Sequence, residues 1–150
     1  MIRLTVSGVH DLPDLTDVAA VVSLRDPQDR RPAELEALDA PVLELVFHDT
    51  DGDPLDHAPQ EWHLARLERF LDGVRPPSLH VHCFAGISRS PALASFALAY
   101  LHPERSDPEV VRRVLEARPQ ALPNAHLLRL ADGRLGRSLA RAWRRQAQRY

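Results

Sequence analysis

Leu79-His80-Val81-His82-Cys83-Phe84-Ala85-Gly86-Ile87-Ser88-Arg89-Ser90-Pro91-Ala92-Leu93 passes through three local patterns in fifteen residues. Leu79 to Cys83 is a short run with alternating apolar side chains, which reads as a central strand. From Ser90 to Leu101 the chain is apolar on nearly every face, the mark of a buried helix. That helix tolerates Pro91 in its first turn and is ended by His102-Pro103. Between strand and helix lies only a short loop with Gly86 at its middle. A strand that feeds a helix through so few residues belongs to an α/β domain with a parallel sheet.

The rest of the chain fits that unit. Ile2, Leu4 and Val6 alternate with polar neighbours as in an edge strand, whereas Val18–Leu24 and Val42–Phe47 are near-continuous apolar runs expected to be central strands. Pro32–Leu38 predicts a short helix, and Gln60–Asp72 a longer one, with Leu64, Leu67 and Leu71 on one face and Gly73 as its stop. Ser106-Asp107-Pro108-Glu109 has the form of a capping box, opening a helix that must stop before Pro119. Asn124–Ala131 predicts another helix, ended by Asp132-Gly133. The expectation is one domain over residues 1–150: a central, mainly parallel sheet of about four to five strands flanked by helices, with a helical C-terminal half. Residues 133–150 carry six arginines and no acid beside Leu135, Leu139 and Trp143, which predicts a terminal amphipathic helix with a solvated basic face.

Composition excludes several classes. With 44% apolar residues, 27% charged residues and a formal charge of -2, the chain is neither disordered nor built to coat nucleic acid. All 19 basic residues are arginine. No stretch approaches the roughly 18 apolar residues of a membrane span, and the N-terminus lacks the apolar core of a signal peptide, so a cytoplasmic protein is expected. A single cysteine in such a compartment stays a thiol, either inert or chemically active.

The loop points to the second. Successive backbone amides between a strand and a helix N-terminus converge on one point, an anion-binding geometry. The segment Phe84, Ala85, Gly86, Ile87, Ser88 and Arg89 would hold a phosphate, with Gly86 supplying positive φ and Arg89 a bidentate clamp. A thiol in that field is held as thiolate, so Cys83 is the candidate nucleophile, attacking phosphorus to give a phosphocysteine. Ser90 can donate to the sulfur as it departs, and His82 can fix the strand end by hydrogen bonding.

His82-Cys83-x-x-Gly86-x-x-Arg89-Ser90 resembles the signature of the cysteine-based protein tyrosine phosphatases, and Gly86-Ile87-Ser88-Arg89-Ser90 is most similar to their dual-specificity branch, in particular a short bacterial form. The likeness extends over about residues 18–132. It includes an apolar strand ending in Asp49 and the tail Arg118-Pro119-x-x-x-Pro123-Asn124, which implies a supporting role for Asn124. It implies the tyrosine phosphatase fold, hydrolysis of phosphomonoesters on a phosphorylated protein or small molecule, and no cofactor. Two other readings stay open: a catalytically inactive phosphate-binding module, and a rhodanese-like sulfurtransferase.

The resemblance also implies a general acid upstream of the cysteine. Asp49 lies 34 residues before Cys83 and Asp51 lies 32 before it, so spacing alone does not choose. Asp49 is favoured because it ends a strand; Asp51 and then Asp53 are the alternatives. No metal is expected. Read as a calcium loop from Asp49, the segment places Pro54 where glycine is required and Gln60 where glutamate is required. Ligation by His80, His82 and Cys83 would consume the nucleophile. The variable loop positions carry no cation to meet the extra phosphates of an inositol lipid.

Overall fold

Four strands make one sheet in the computed structural model, which describes residues 1–52 and 57–147. They are β1 (Arg3–Ser7), β2 (Ala20–Arg25), β3 (Val42–Val46) and β4 (Ser78–His82), in the order β1-β4-β2-β3. Every pairing is parallel. Five helices accompany the sheet: α1 (Glu61–Val74), α2 (Arg89–Leu101), α3 (Asp107–Ala117), α4 (Ala125–Leu135) and α5 (Leu139–Ala147). The last strand returns between the first two, so His82 is in register with Ser7 on one side and Ser23 on the other. In open parallel sheets, such a switch in strand order opens a crevice at the carboxyl ends, and the loop after β4 leaves from there.

The α/β class and the helical C-terminal half match the expectation, with four strands. Several boundaries differ. β3 was expected to be central, but it is the edge strand opposite β1. It pairs only with β2; Leu43, Leu45 and Phe47 enter the core, while Glu44 on the other face pairs with Arg25. Pro32–Leu38 shrinks to a single 3₁₀ turn at Ala33–Leu35.

Gly73 does not stop α1, which runs on to Val74 and ends where Arg75 takes the left-handed conformation before Pro76-Pro77. Likewise α4 runs through Gly133 and ends at Gly136, φ +65°. Both Gly73 and Gly133 are exposed, and neither is needed for a turn. The terminal basic helix therefore starts at Leu139; Arg134 belongs to α4, and Arg149 lies outside the described residues.

The axis of the molecule is α2, buried from Arg89 through Ala99. Leu79, Val81 and Cys83 from β4 join it in one apolar core with Leu64, Leu67 and Leu71 of α1, Val110, Val111 and Val114 of α3, and Leu127 and Leu128 of α4. α5 closes the far side: Leu139 and Trp143 are buried, and the Trp143 indole donates to Ser95 Oγ at 3.0 Å, which itself donates to the Pro91 carbonyl at 2.8 Å. A Ser inside an apolar helix is thereby satisfied on both sides. Among the described residues no helix is long and apolar enough to cross a membrane.

The opposite face of the sheet is polar at its centre. His80 is fully buried, its Nδ1 2.7 Å from Thr5 Oγ1 and its Nε2 3.1 Å from Ser7 Oγ. Burial, and then the neighbouring His82, push the His80 pKa down to about 4. An unfolded chain takes up this proton near pH 6.5, the folded chain only near 4, so protonation favours unfolding. This share of stability is present above about pH 6.5 and is lost as the pH falls toward 4, a change on the order of 3 kcal/mol. Denaturant midpoints measured between about pH 7.5 and 4.5 should fall in the wild type, and fall less steeply in His80→Gln. Equal slopes in the two proteins would contradict this assignment.

Candidate active site

The loop after β4 is held by its carbonyls. Phe84 O accepts from Val9 N (2.9 Å), Ile87 O from Leu122 N (2.8 Å) and Ser88 O from Asn124 N (3.0 Å). Ala85 O and Gly86 O accept from Arg118 Nη2 and Nε, both at 3.0 Å. Five consecutive carbonyls are thus turned outward. In a trans peptide the N–H lies opposite the C=O, so the amides of residues 85–89 turn to the inner side of the loop. The Gly86 amide shows the result by donating to Cys83 Sγ at 3.2 Å. Among the described residues, the amides of Ala85, Ile87 and Ser88 have no protein acceptor. Convergent, unpaired amides at the start of α2 form a nest suited to an anion.

Cys83 is buried on the floor of this nest. Besides the Gly86 amide its sulfur meets Ser90 Oγ at 3.2 Å, and Ser90 is itself fully buried in the first turn of α2. His82 secures the strand end: its Nδ1 is 3.4 Å from Cys83 O, and its Nε2 is 2.7 Å from Ser23 Oγ. A carbonyl can only accept, so Nδ1 carries the proton and Nε2 accepts from the serine hydroxyl. Burial, first of all, holds the His82 pKa below its ordinary value and the ring neutral. His80 and His82 are thus bonded to hydroxyls of Thr5, Ser7 and Ser23.

Arg89 is 5% exposed, and its guanidinium reaches across the carboxyl ends of the strands. Its Nη1 donates to Phe47 O at 2.8 Å and to Asp26 Oδ1 at 2.7 Å. Asp49 lies just past β3. Its Oδ1 accepts from Ser88 Oγ and from Asn124 Nδ2, each at 2.7 Å, so this carboxylate is tied to the anion loop itself. Asn124 also donates to Thr50 O (2.9 Å) and caps α4 through Leu127 N (2.8 Å), a polar residue serving the fold and the site together. Asp51 is exposed and makes no hydrogen bond or ion pair among the described residues; Asp53 lies outside them. Phe84 is exposed at the rim, its ring edge-on to His10 at 5.4 Å.

Four supporting residues escaped the sequence reading or entered it only as part of a motif. Arg118 holds two loop carbonyls and pairs with Asp11, whose other oxygen accepts the Gly8 amide at 2.8 Å. Gly8 and Gly86 pack backbone to backbone: a Cβ on Gly86, at φ +74°, would lie 2.4 Å from the Gly8 nitrogen. Asp26 meets Arg89 across 63 residues of sequence. Its one local signal is its place directly after a central strand, where parallel sheets assemble their sites.

No family model matches the chain, and no curated protein matches it in sequence. Solved structures do. The chain is similar to DUSP15, with a TM-score of 0.67 and 21% identity over 100% of this chain and 94% of that one. It is also similar to human DUSP28, with a TM-score of 0.64 and 18% identity over 97% and 99%. A third likeness is to human tyrosine phosphatase-like serine/threonine/tyrosine-interacting protein, with a TM-score of 0.61 and 19% identity over 79% and 77%. The chain has the fold of the dual-specificity and tyrosine phosphatases.

Proposed function

We propose that this protein is a cysteine-dependent phosphomonoesterase of the protein tyrosine or dual-specificity type, working through a phosphocysteine on Cys83. The observation that carries the reading is the inward turn of the loop amides above a sulfur that accepts from Gly86 N and lies 3.2 Å from Ser90 Oγ. The thiolate is the form that attacks phosphorus.

A phosphate monoester enters with three oxygens on the loop amides and on the free edge of Arg89. The thiolate attacks phosphorus from beneath, in line with the ester oxygen, which faces out of the nest. Asp49 has its Oδ1 occupied, and Oδ2 is left to carry the proton that the departing oxygen takes. The deprotonated Asp49 then draws a proton from water as it attacks the phosphocysteine, and Ser90 Oγ donates to the sulfur as the S–P bond breaks. The amides and Arg89 meet the equatorial charge throughout, with no reorganisation at the moment of transfer.

The rival readings use less of the site. A module that only captures phosphorylated partners would need the amides and Arg89, but neither a hydroxyl on the sulfur nor a carboxylate held over the loop. A sulfurtransferase has no role for Asp49. Phe84, edge-on to His10 at the rim, offers an apolar wall to an aryl leaving group.

Cys83→Ser should abolish hydrolysis of an aryl phosphate while inorganic phosphate still binds; turnover at the wild-type rate would rule out the cysteine mechanism. Asp49→Asn should slow phenyl phosphate by roughly 10²-fold or more, and p-nitrophenyl phosphate far less, because a good leaving group needs no proton. If Asp51→Asn shows that pattern instead, Asp51 is the acid.

A further inference from the structure

A groove of about 540 Å³ opens between the end of α3 with the segment after it, the first turn of α4 and one side of α5. Leu115, Ala121, Leu122, Leu128, Ala140 and Trp143 line it, and Arg144 is the one charged side chain among its lining residues. Its floor belongs to the core, for Ala121, Leu128 and Trp143 are buried. Its rim does not. Leu122 is 71% exposed, more than any other large apolar side chain among the described residues. The hydrogen bond from Leu122 N to Ile87 O explains neither the leucine nor its exposure, because any residue except proline supplies that amide.

Charge on the adjoining helix is one-sided. α5 contains no acidic residue and carries Arg141, Arg144 and Arg145, all exposed. Among the described residues none of the three meets an acid, whereas Arg134 and Arg137, just before the helix, pair with Glu68 and Asp107. An apolar trough edged by unpaired cations complements an apolar ligand that carries negative charge. We propose that this groove docks a protein partner through a short segment with two or three large apolar side chains flanked by Asp or Glu. The groove shares no side chain with the anion nest, and the proposal does not depend on the phosphatase reading.

Shape selects among the possible occupants. A membrane surface takes up apolar side chains that protrude, and here only Leu122 does; Leu128 and Trp143 are recessed and are reached only by side chains that enter the groove. The volume lies within the range, roughly 300–1,000 Å³, of sites that enclose a ligand. A second copy of the chain offers no match. The large apolar side chains exposed among the described residues are Met1, Trp62, Phe84 and Leu122, which come one to an element and form no strip of two or three. A partner segment that sets its apolar side chains into the groove and its acids against α5 uses both features at once.

The test is selection of short random peptides, displayed on phage, against the whole chain, with one selected peptide then synthesised and titrated by fluorescence anisotropy. Selected sequences should combine Leu, Ile, Phe or Trp with Asp or Glu. Leu122→Ser should weaken the synthetic peptide by about tenfold, the loss expected when one leucine no longer contributes its apolar surface. Arg144→Glu should weaken it by at least about tenfold, since like charges then face each other, and selection against that variant should favour Lys and Arg in place of the acids. Arg144 is exposed and unpaired, so Arg144→Glu should keep the wild-type rate on an aryl phosphate, which separates docking from catalysis. Selection of no common pattern, or a peptide that binds both variants as tightly as the wild type, would overturn the proposal. Three other outcomes would also overturn it by giving the groove to another occupant: capture by phosphatidylserine vesicles that Leu122→Ser abolishes, with no peptide bound; peptide binding that appears only after residues 148–150 are removed; and a dimer in sedimentation that both variants dissociate.

Discussion

Where β1 and β4 end side by side, Gly8 and Gly86 approach so closely that neither position has room for a side chain. A Cβ on Gly8 would lie 2.6 Å from Phe84 O, and one on Gly86 would lie 2.4 Å from the Gly8 nitrogen. This contact lets the loop fold back onto the strand end and turn its carbonyls toward the body of the protein. The inward amides, the seat of the sulfur and the start of α2 all follow from it. Gly86 is needed twice over, since its φ of +74° is one that side chains rarely adopt.

The loop is then gripped from every side by different elements. Val9 follows β1, Arg118 and Leu122 come from the segment after α3, Asn124 caps α4, and His82 and Ser23 brace the strand beneath. α2 contributes rigidity, because a helix buried along nearly its whole length cannot shift without opening the core. A site whose donors are fixed beforehand loses little when a charged ligand arrives.

The loop was legible because its chemistry is contiguous. Cys83, Gly86, Arg89 and Ser90 sit in one window, and strand and helix on either side announce themselves by period. What lay outside that window depended on contacts that sequence does not display. β3 read as central because its run is nearly all apolar, and only the strand order shows that it pairs on one side alone, with Glu44 reaching Arg25 of its neighbour. Gly73 and Gly133 read as stops, yet an exposed glycine inside a helix costs only about 1 kcal/mol, and Pro76 and Gly136 were the real boundaries. Spacing left the proposed acid open between Asp49 and Asp51; the hydrogen bonds from Ser88 and Asn124 that favour the proposal of Asp49 are tertiary, as are those that tie Asp26, Asp11 and Gly8 to the loop region.

The account turns on a covalent bond between Cys83 and phosphorus. The most direct measurement is acid quenching of the protein during turnover of an aryl phosphate, followed by mass spectrometry of the peptide that contains His82 and Cys83. A phosphoryl group on the Cys83 sulfur, appearing before product phosphate accumulates and absent from Cys83→Ser, is the result the account predicts. Turnover with no adduct on that peptide, or with the phosphoryl group on His82, would contradict it.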